Sequence, residues 1–242
     1  MAHFYLAEDL EDAAAGDLVR LTGPEARHAV TVSRLRVGES IAVGNGRGLV
    51  VTGPITSAEH AELVIEAATV ERFERAGVAV ILAQALAKGD RDELAVQAAT
   101  ELGVDAVIPW AAGRSISRWE GAKVQKGVDR WIAVTREASK QSMRPWLPDV
   151  LDLVSTKQLA RLASETRMLV LEPTASTRLT ALEVDDRDLL VVVGPEGGLS
   201  PDEVDALAAA GAEPVRLGDE VLRTSTAGPA AIAVLNAKLG RW

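Results

Sequence analysis

The first seventy residues carry short apolar runs separated by turn signals, a pattern typical of β-strands. The runs lie at residues 17–21, 40–43, 49–52 and 61–70. Gly44, Asn45 and Gly46 separate two of them and predict a hairpin turn, because Asn and Gly accept a positive φ. Helical spacing over residues 24–35 interrupts the strands. So many short strands in so little sequence predict a small β-barrel.

From residue 78 onward, predicted strands alternate with predicted helices. Continuous apolar runs predict strands buried on both faces at residues 78–86, 106–110, 168–171, 189–193 and 215–217. Helical spacing predicts helices at residues 92–102, 122–143, 201–210 and 227–239. This alternation is typical of an α/β domain with a parallel sheet. The change of pattern near residues 72–77 divides the chain into a domain at 1–72 and a second at 73–242.

Composition excludes several classes of function. Of the 242 residues, only 3% are aromatic, which argues against proteins that stack RNA bases on aromatic rings. The chain has no Cys, and its three His residues lie in separate segments, which disfavours a metal site and a His-based triad. No secretory signal is visible, and no apolar stretch is long enough to span a bilayer. The sequence therefore predicts a cytoplasmic protein with neither a metal nor a membrane partner.

The charge distribution is uneven. The net charge of −9 disfavours a nucleic-acid partner at first sight. Residues 114–144, however, hold eight basic and three acidic side chains, a local charge of +5. A solvated helix face and a surface for a polyanion are both open interpretations of this basic stretch.

Candidate chemistry follows three predicted strands, at the strand ends where parallel sheets bind ligands. Leu171, Glu172 and Pro173 end one strand, residues 194–198 (GPEGG) end the next, and Leu217 and Gly218 end the last and lead to residues 222–224. Glycines let a backbone approach a ligand closely. The GPEGG sequence is neither a P-loop nor a dinucleotide fingerprint, and a purely structural turn stays an alternative. Ser200 and Glu203 after it predict a capping box at the start of a helix.

Longer strings carry a family resemblance. VVVGPEGGLSPDEVDAL and VRLGDEVLRTSTAGPAAIAVLNAKLG resemble the C-terminal signature of SPOUT-class RNA methyltransferases, and in particular the RsmE-type 16S rRNA (uracil-N3)-methyltransferases. Further matches are ALAKGDRDELAVQAATELGVDAVIPWAAGRS, EASKQSMRPWLP, LVLEP and HAVTVSRLRVGE. The resemblance implies an RNA-binding, PUA-like β-barrel at 1–72 and a SPOUT α/β domain with a trefoil knot at 73–242. Ser33, Lys140 and Ser225 depart from the family, which usually has Leu, an acid and Glu there.

The resemblance also implies S-adenosylmethionine as the cofactor and N3 of a uridine in 16S rRNA as the acceptor. The implied cofactor-binding residues are Leu171, Glu172, Pro173, Gly194, Pro195, Glu196, Gly197, Gly198, Leu217, Leu222, Arg223, Thr224, Thr226 and Ala227. Uracil N3 must lose a proton, so Glu172 is a candidate base and Arg223 a candidate group to stabilise the anion. Glu196 is a further candidate base, although we expect it to bind the amides of its own loop. Thr226 is also a candidate N-cap of the last helix.

Eight polar residues are candidates for RNA contact, each with a plain surface role as the alternative. They are Arg34, Arg36, Lys88, Arg91, Arg114, Arg136, Gln141 and Arg144. Two other functions stay open: a SPOUT methyltransferase acting on the ribose 2′-oxygen, and a catalytically inactive RNA-binding assembly factor, which Ser225 would suit. A homodimer is implied by the resemblance. The apolar residues of the last predicted helix spread around its circumference, a pattern that fits either a dimer contact or a fully buried internal helix.

Overall fold

The computed structural model describes residues 3–75 and 77–242 and divides the chain into two units. The first unit comprises Met1–Arg75 and Ser139–Leu147, and the second comprises Ala76–Ala138 and Pro148–Trp242. The segment Ser139–Leu147 belongs to the first unit because Gly48 N donates to Pro145 O (2.9 Å) and Leu147 N donates to Gly46 O (3.0 Å). Sequence patterning did not predict this assignment.

The first unit is built on a mixed six-stranded sheet. Its strands are β1 (Phe4–Leu6), β2 (Leu18–Thr22), β3 (Ser40–Gly44), β4 (Leu49–Glu59), β5 (Glu62–Glu66) and β6 (Thr69–Arg72). The strand order is β1-β3-β4-β5-β2, with β6 also paired to β4. Strands β1 and β3 are parallel and the other pairs antiparallel. Helix α1 (Gly23–Arg27) continues into a π-helical turn (His28–Val32).

The hairpin predicted at Gly44–Gly46 is confirmed, since β3 and β4 are antiparallel. The Asn45 side chain closes the turn by accepting hydrogen bonds from Arg47 N (2.8 Å) and Leu49 N (3.1 Å). Three strand predictions were incomplete: β1 was missed, β4 is longer than residues 49–52, and residues 61–70 form the two strands β5 and β6. Barrel closure stays a prediction, because the pairings among residues 3–75 give an open strand order.

The second unit is an α/β structure with a parallel sheet, as predicted. Its strands are β7 (Val80–Ala85), β8 (Ala106–Ala111), β9 (Asp149–Val150), β10 (Val154–Ser155), β11 (Arg167–Leu171), β12 (Leu189–Val193) and β13 (Glu213–Val215). Its helices are α2 (Arg91–Glu101), α3 (Ala122–Gln141, ending in the first unit), α4 (Thr156–Arg161), α5 (Pro201–Ala209) and α6 (Thr224–Lys238). The order is β10-β8-β7-β12-β11-β13, with β9 also on β8, and every pairing is parallel.

Two predictions near the strand ends were wrong. Strand β13 ends at Val215 instead of residue 217, so Leu217 lies in the following loop. Helix α6 begins at Thr224 instead of residue 227, so Arg223 is its N-cap residue and Thr226 lies in its first turn. The capping box of α5 is confirmed, with Glu203 N donating to Ser200 Oγ and Ser200 N to a Glu203 carboxylate oxygen.

The core of the second unit lies on both faces of its sheet. Alternate residues of β12 divide between the faces: Val191 packs with α2 and α6 on one side, and Val192 packs with α5 on the other. Helix α6 packs against α2, β7 and β12 through its buried residues Ala231, Ile232 and Leu235, whereas Ala230 and Val234 stay half-buried. No helix in the described ranges is both long and apolar enough to cross a membrane.

Candidate functional site

A pocket lies at the carboxyl ends of β11, β12 and β13, where the three following loops meet the start of α6. Eleven of the fourteen predicted cofactor residues line it, namely Leu171, Glu172, Pro173, Gly194, Pro195, Glu196, Gly198, Leu217, Leu222, Thr224 and Ala227. Sequence reasoning missed seven further lining residues, Val193, Leu199, Val215, Arg216, Gly218, Glu220 and Val221. All seven lie within two residues of a predicted one in the chain.

Three of the predicted cofactor residues are outside the pocket lining. Arg223 is exposed as the N-cap residue of α6, and Thr226 is exposed in the first turn of the helix. Gly197 faces the stem of Arg114, because a Cβ added to it would lie 3.3 Å from Arg114 Cβ. The early start of α6 explains why Arg223 and Thr226 are outside the lining. Thr224 points into the pocket, and residues two apart on a helix point in different directions, so Thr226 points away from it.

The glycine loop, residues 194–198, needs glycine at Gly194 and Gly198 for two different reasons. Gly198 has a φ of +68°, where other residues are strained, and the space around its missing Cβ is open. Gly194 is restricted by packing, because an added Cβ would lie 2.7 Å from Leu199 Cδ1. The loop closes as a turn through Gly198 N donating to Pro195 O (2.9 Å). Its backbone therefore borders the pocket with no side chain in between at Gly198.

Two arginines hold the glycine loop from outside the pocket. The Arg114 guanidinium donates from Nη1 to Gly197 O (3.1 Å) and Leu199 O (3.0 Å). On the other side, Glu196 Oε1 accepts from Lys88 N (3.0 Å) and Arg91 Nη1 (2.8 Å). Both arginines were predicted as RNA contacts, and their bonds to the loop are a role that the sequence did not indicate.

The Glu196 carboxylate is held in its ionised form. Burial raises its pKa, but hydrogen bonds from its own amide, the Lys88 amide and the Arg91 guanidinium outweigh burial, and the pKa lies below the ordinary value. Glu196 was expected to bind the amides of its own loop, and its carboxylate also ties that loop to the N-terminal end of α2. A carboxylate with a lowered pKa is a poor proton acceptor.

A buried hydrogen-bond chain reaches the same loop from the core. Gln84 Nε2 donates to Thr224 Oγ1 (2.8 Å), and the Thr224 hydroxyl donates to Gly194 O (2.7 Å). Sequence reasoning missed Gln84. The available signal was that Gln84 is the only polar residue in the apolar run at residues 78–86.

Comparison with known proteins identifies the family. A family model described as an RNA methyltransferase domain matches residues 74–236, and one described as an RNA methyltransferase PUA domain matches residues 21–66. Ribosomal RNA small subunit methyltransferase E from Mycobacterium tuberculosis is 39% identical over 250 residues, covering 100% of this chain and 94% of that protein. The chain belongs to this methyltransferase family.

Two further members support the assignment. The Bacillus subtilis protein of the same name is 32% identical and covers 86% of this chain and 85% of its own length. A crystal structure of the Neisseria gonorrhoeae protein, bound to S-adenosyl methionine, superposes with a TM-score of 0.88 at 28% identity, covering 98% of each chain. The resemblance inferred from the sequence is confirmed.

The two candidate catalytic residues of this family member differ in their surroundings. Glu172 is half-buried at the pocket, and its Oε1 accepts from Thr174 N (3.2 Å) and Thr174 Oγ1 (2.9 Å). Arg223 is exposed just outside the pocket lining. Ser225, where the family usually has Glu, is half-buried as the second residue of α6.

The candidate RNA-contact residues divide between the two units. Arg34, Arg36 and Gln141 are exposed and Arg144 is half-buried in the first unit. In the second unit Lys88, Arg91 and Arg114 are exposed, whereas Arg136 is half-buried and burial lowers its pKa.

Internal contacts engage part of the basic stretch. Arg130 pairs with Glu93 (2.6 Å), and Lys140 pairs with Glu25 (3.0 Å) in a largely buried contact. Arg118 donates to the carbonyls of Ala112 and Gly113. The +5 charge of this stretch is thus only partly available to a partner.

Proposed function

We propose that this protein transfers a methyl group from S-adenosylmethionine to N3 of a uridine in the 16S rRNA of the small ribosomal subunit, in the cytoplasm. The observation that carries the proposal is the pocket at the ends of β11, β12 and β13, in a chain of the ribosomal RNA small subunit methyltransferase E family. A relative with the same fold holds this cofactor.

The residues of the pocket suit the cofactor. Leu171, Leu222 and Ala227 offer apolar contacts for a flat adenine ring, while main-chain groups of the loops offer hydrogen bonds. Glu172 and Glu220 place carboxylates on the lining, which favours the positive charges of the amino and sulfonium groups. When bound, the cofactor supplies a methyl group on a positively charged sulfur atom. It is already activated, so the main task of the protein is positioning, which can lower a barrier by roughly 7–11 kcal/mol.

The proton on uracil N3 needs an acceptor within the protein or the solvent. Glu196 is a poor acceptor because its ion pair and amide bonds hold its pKa low. We assign the role of base to Glu172, whose carboxylate lies on the pocket lining, and the role of stabilising the uracil anion to Arg223, next to Thr224 at the start of α6. Glu172→Gln should then lower the rate of methyl transfer measured at saturating S-adenosylmethionine, where any loss of cofactor affinity no longer limits the rate.

RNA binding is assigned to the first domain, residues 1–72 with its PUA-like barrel, together with the eight candidate residues. Arg36→Ala and Arg144→Ala should weaken binding to many RNAs alike and reduce the salt slope of the binding constant by about 0.7–0.9 per lost phosphate contact. Lys157→Ala is the matched control, since it removes one exposed charge outside the candidate set. An unchanged slope in both arginine variants would show that neither residue contacts phosphate.

The trefoil knot in the second domain and a homodimer complete the proposal, both drawn from the resemblance. Static light scattering at micromolar concentration should give about twice the 25.5 kDa chain mass. A mass equal to one chain would reject the dimer and leave the assignment of the reaction untouched.

Two experiments test the reaction itself. Calorimetry with S-adenosylmethionine in excess chelator should show binding, because no metal is part of the proposal. Mass-spectrometric mapping of rRNA from cells with and without the protein should show one N3-methyluridine that depends on it. A ribose 2′-O-methyl group in its place would identify the alternative reaction. If the protein binds RNA but not S-adenosylmethionine, and rRNA methylation is the same in cells with and without it, the protein is an assembly factor, the function that Ser225 would suit.

A further inference from the structure

Gln84 is a polar residue in the buried, apolar strand β7. Side chains of β7 alternate between the two faces of the sheet, and Val80 and Leu82, which precede Gln84 on its face, are apolar and fully buried. Gln84 is equally buried, with 0% of its surface exposed. Its Nε2 donates to Ala85 O and Thr224 Oγ1, but within residues 3–75 and 77–242 no group donates to its Oε1. A buried acceptor without a partner weakens the folded state.

The hydrogen bonds of Gln84 have a defined direction. A hydroxyl has one proton to donate, and because Thr224 Oγ1 accepts from Gln84, its own proton is directed to Gly194 O at 2.7 Å. Thr224 begins α6 and Gly194 begins the glycine loop, and both line the pocket. Gln84 also lies opposite Val193, the last residue of β12, in the sheet register. The amide is therefore placed where helix, strand and loop meet.

A role in packing alone does not explain this residue. An unbranched apolar side chain of similar length would fill the same space and would remove the unpaired acceptor, at the cost of the two hydrogen bonds that Nε2 donates. We propose that Gln84 is a positioning residue for the cofactor pocket, which orients the Thr224 hydroxyl so that α6 holds the carbonyl of Gly194. The identity of the ligand in this inference rests on the proposed function.

The central test is Gln84→Met, measured for S-adenosylmethionine affinity by calorimetry and for stability by urea denaturation. We expect affinity to fall about five- to tenfold, the value of one lost hydrogen bond, while the denaturation midpoint changes little, because the loss of the donated bonds is offset by the loss of the unpaired acceptor. Amide hydrogen exchange of residues 194–199 without cofactor should become faster. A merely structural role would lower stability and leave affinity unchanged.

Asn236→Leu is the matched control. Asn236 is 1% exposed on the same helix α6, its Nδ2 donates to Leu102 O (2.6 Å), and its Oδ1 also accepts from no described residue. It is not part of the pocket lining. Its replacement removes the same kind of group and should leave both cofactor affinity and the exchange of residues 194–199 unchanged.

Thr224→Val provides a second route if Gln84→Met does not fold. It removes the middle hydroxyl of the chain and should weaken the cofactor to a similar extent, and the double variant should lose no more than the larger single loss. Wild-type affinity and wild-type exchange in the folded Gln84 variant would overturn the inference, as would an equal loss in the Asn236 variant. If the wild-type protein does not bind S-adenosylmethionine, the proposed function fails, and hydrogen exchange alone decides whether Gln84 positions the loop.

Discussion

Two of the loops that line the pocket are held in different ways. The glycine loop is fixed by the buried Thr224 hydroxyl and by the guanidinium of Arg114, both of which bind its backbone carbonyls. In the loop after β13, residues 216–223, the backbone of Arg216 bonds to Thr177 and Leu179, and the part beyond it is tied through Asp219, whose side chain is 68% exposed. Asp219 pairs with Arg178 (3.1 Å) and with Arg216 (2.7 Å).

This difference indicates how much each loop is organised before a ligand arrives. The Thr224 hydroxyl is buried, so water competes little for its bond to Gly194 O, whereas the bonds from the exposed Arg114 are only partly shielded. Exposed ion pairs contribute little, since solvent screens the charges and long side chains lose entropy. Val221 in the second loop is 79% exposed, which adds to the contrast. We therefore expect the glycine loop to be a preformed part of the pocket and the second loop to adapt to its ligand.

Gly198→Val should break the glycine loop most severely. At a φ of +68° a β-branched residue is strained by about 3 kcal/mol, so the loop must move away from the shape that borders the pocket. We expect S-adenosylmethionine affinity, measured by calorimetry, to fall about a hundredfold.

Gly211→Val is the control for that strain. Gly211 also has a positive φ, +104°, with open space around it, but it lies between α5 and β13 and does not line the pocket. The Gly211→Val variant should have a lower free energy of unfolding, while its affinity for S-adenosylmethionine stays at the wild-type value. Equal affinity losses in the two variants would mean that strain acts through general destabilisation and not through the loop.

Arg114→Ala should have the next largest effect. It removes two charge-assisted hydrogen bonds to the loop carbonyls, and one such bond is worth about 1.5 kcal/mol, so we expect about a tenfold loss of cofactor affinity. Arg118→Ala is the control, because Arg118 belongs to the same basic stretch but donates to Ala112 O and Gly113 O. Weakened RNA binding with unchanged cofactor affinity would show that Arg114 serves RNA alone.

The alternation of apolar runs and helical spacing was sufficient to predict the second unit. Strand β12 and the capping box of α5 carry strong local signals, and both are found where the sequence placed them. The two-residue strands β9 and β10 were missed because so short a segment has no period. The assignment of Ser139–Leu147 to the first unit depends on contacts far apart in the sequence, which local patterns do not contain.

The candidate site was predicted residue by residue only where a motif marked it. Gly197 was expected at the ligand, yet it faces Arg114, because the direction of a glycine in a turn depends on the whole loop. Gln84 was missed because a single polar residue in an apolar run does not indicate which group it binds, and its partner Thr224 is 140 residues away in the sequence. Motifs thus locate the loops, whereas the contacts that hold them are visible only in three dimensions.

Glu196→Gln should give a smaller effect with a defined pH dependence. The pKa of Glu196 in the folded protein is lower than its ordinary value of 4.5, so its contribution to stability is complete above that pH and is lost as the pH falls through the folded value. Arg91 is half-exposed, which limits the contribution to less than about 1 kcal/mol. The difference in unfolding free energy between the wild type and the variant should stay constant from about pH 8 to pH 6 and shrink below about pH 4.5. A difference that grows on acidification would contradict an ionised Glu196.

Asp219→Asn should have the smallest effect. It tests the loop after β13, which we expect to be less firmly organised than the glycine loop. It removes the charge that pairs with Arg178 and Arg216 while keeping the shape of the side chain. Because Asp219 is mostly exposed, we expect stability to change by less than about 0.5 kcal/mol and cofactor affinity by less than about twofold. Raising the salt concentration to about 1 M, where the screening length is about 3 Å, should remove even that difference between variant and wild type. A tenfold affinity loss, insensitive to salt, would mean that the loop after β13 is as firmly organised as the glycine loop.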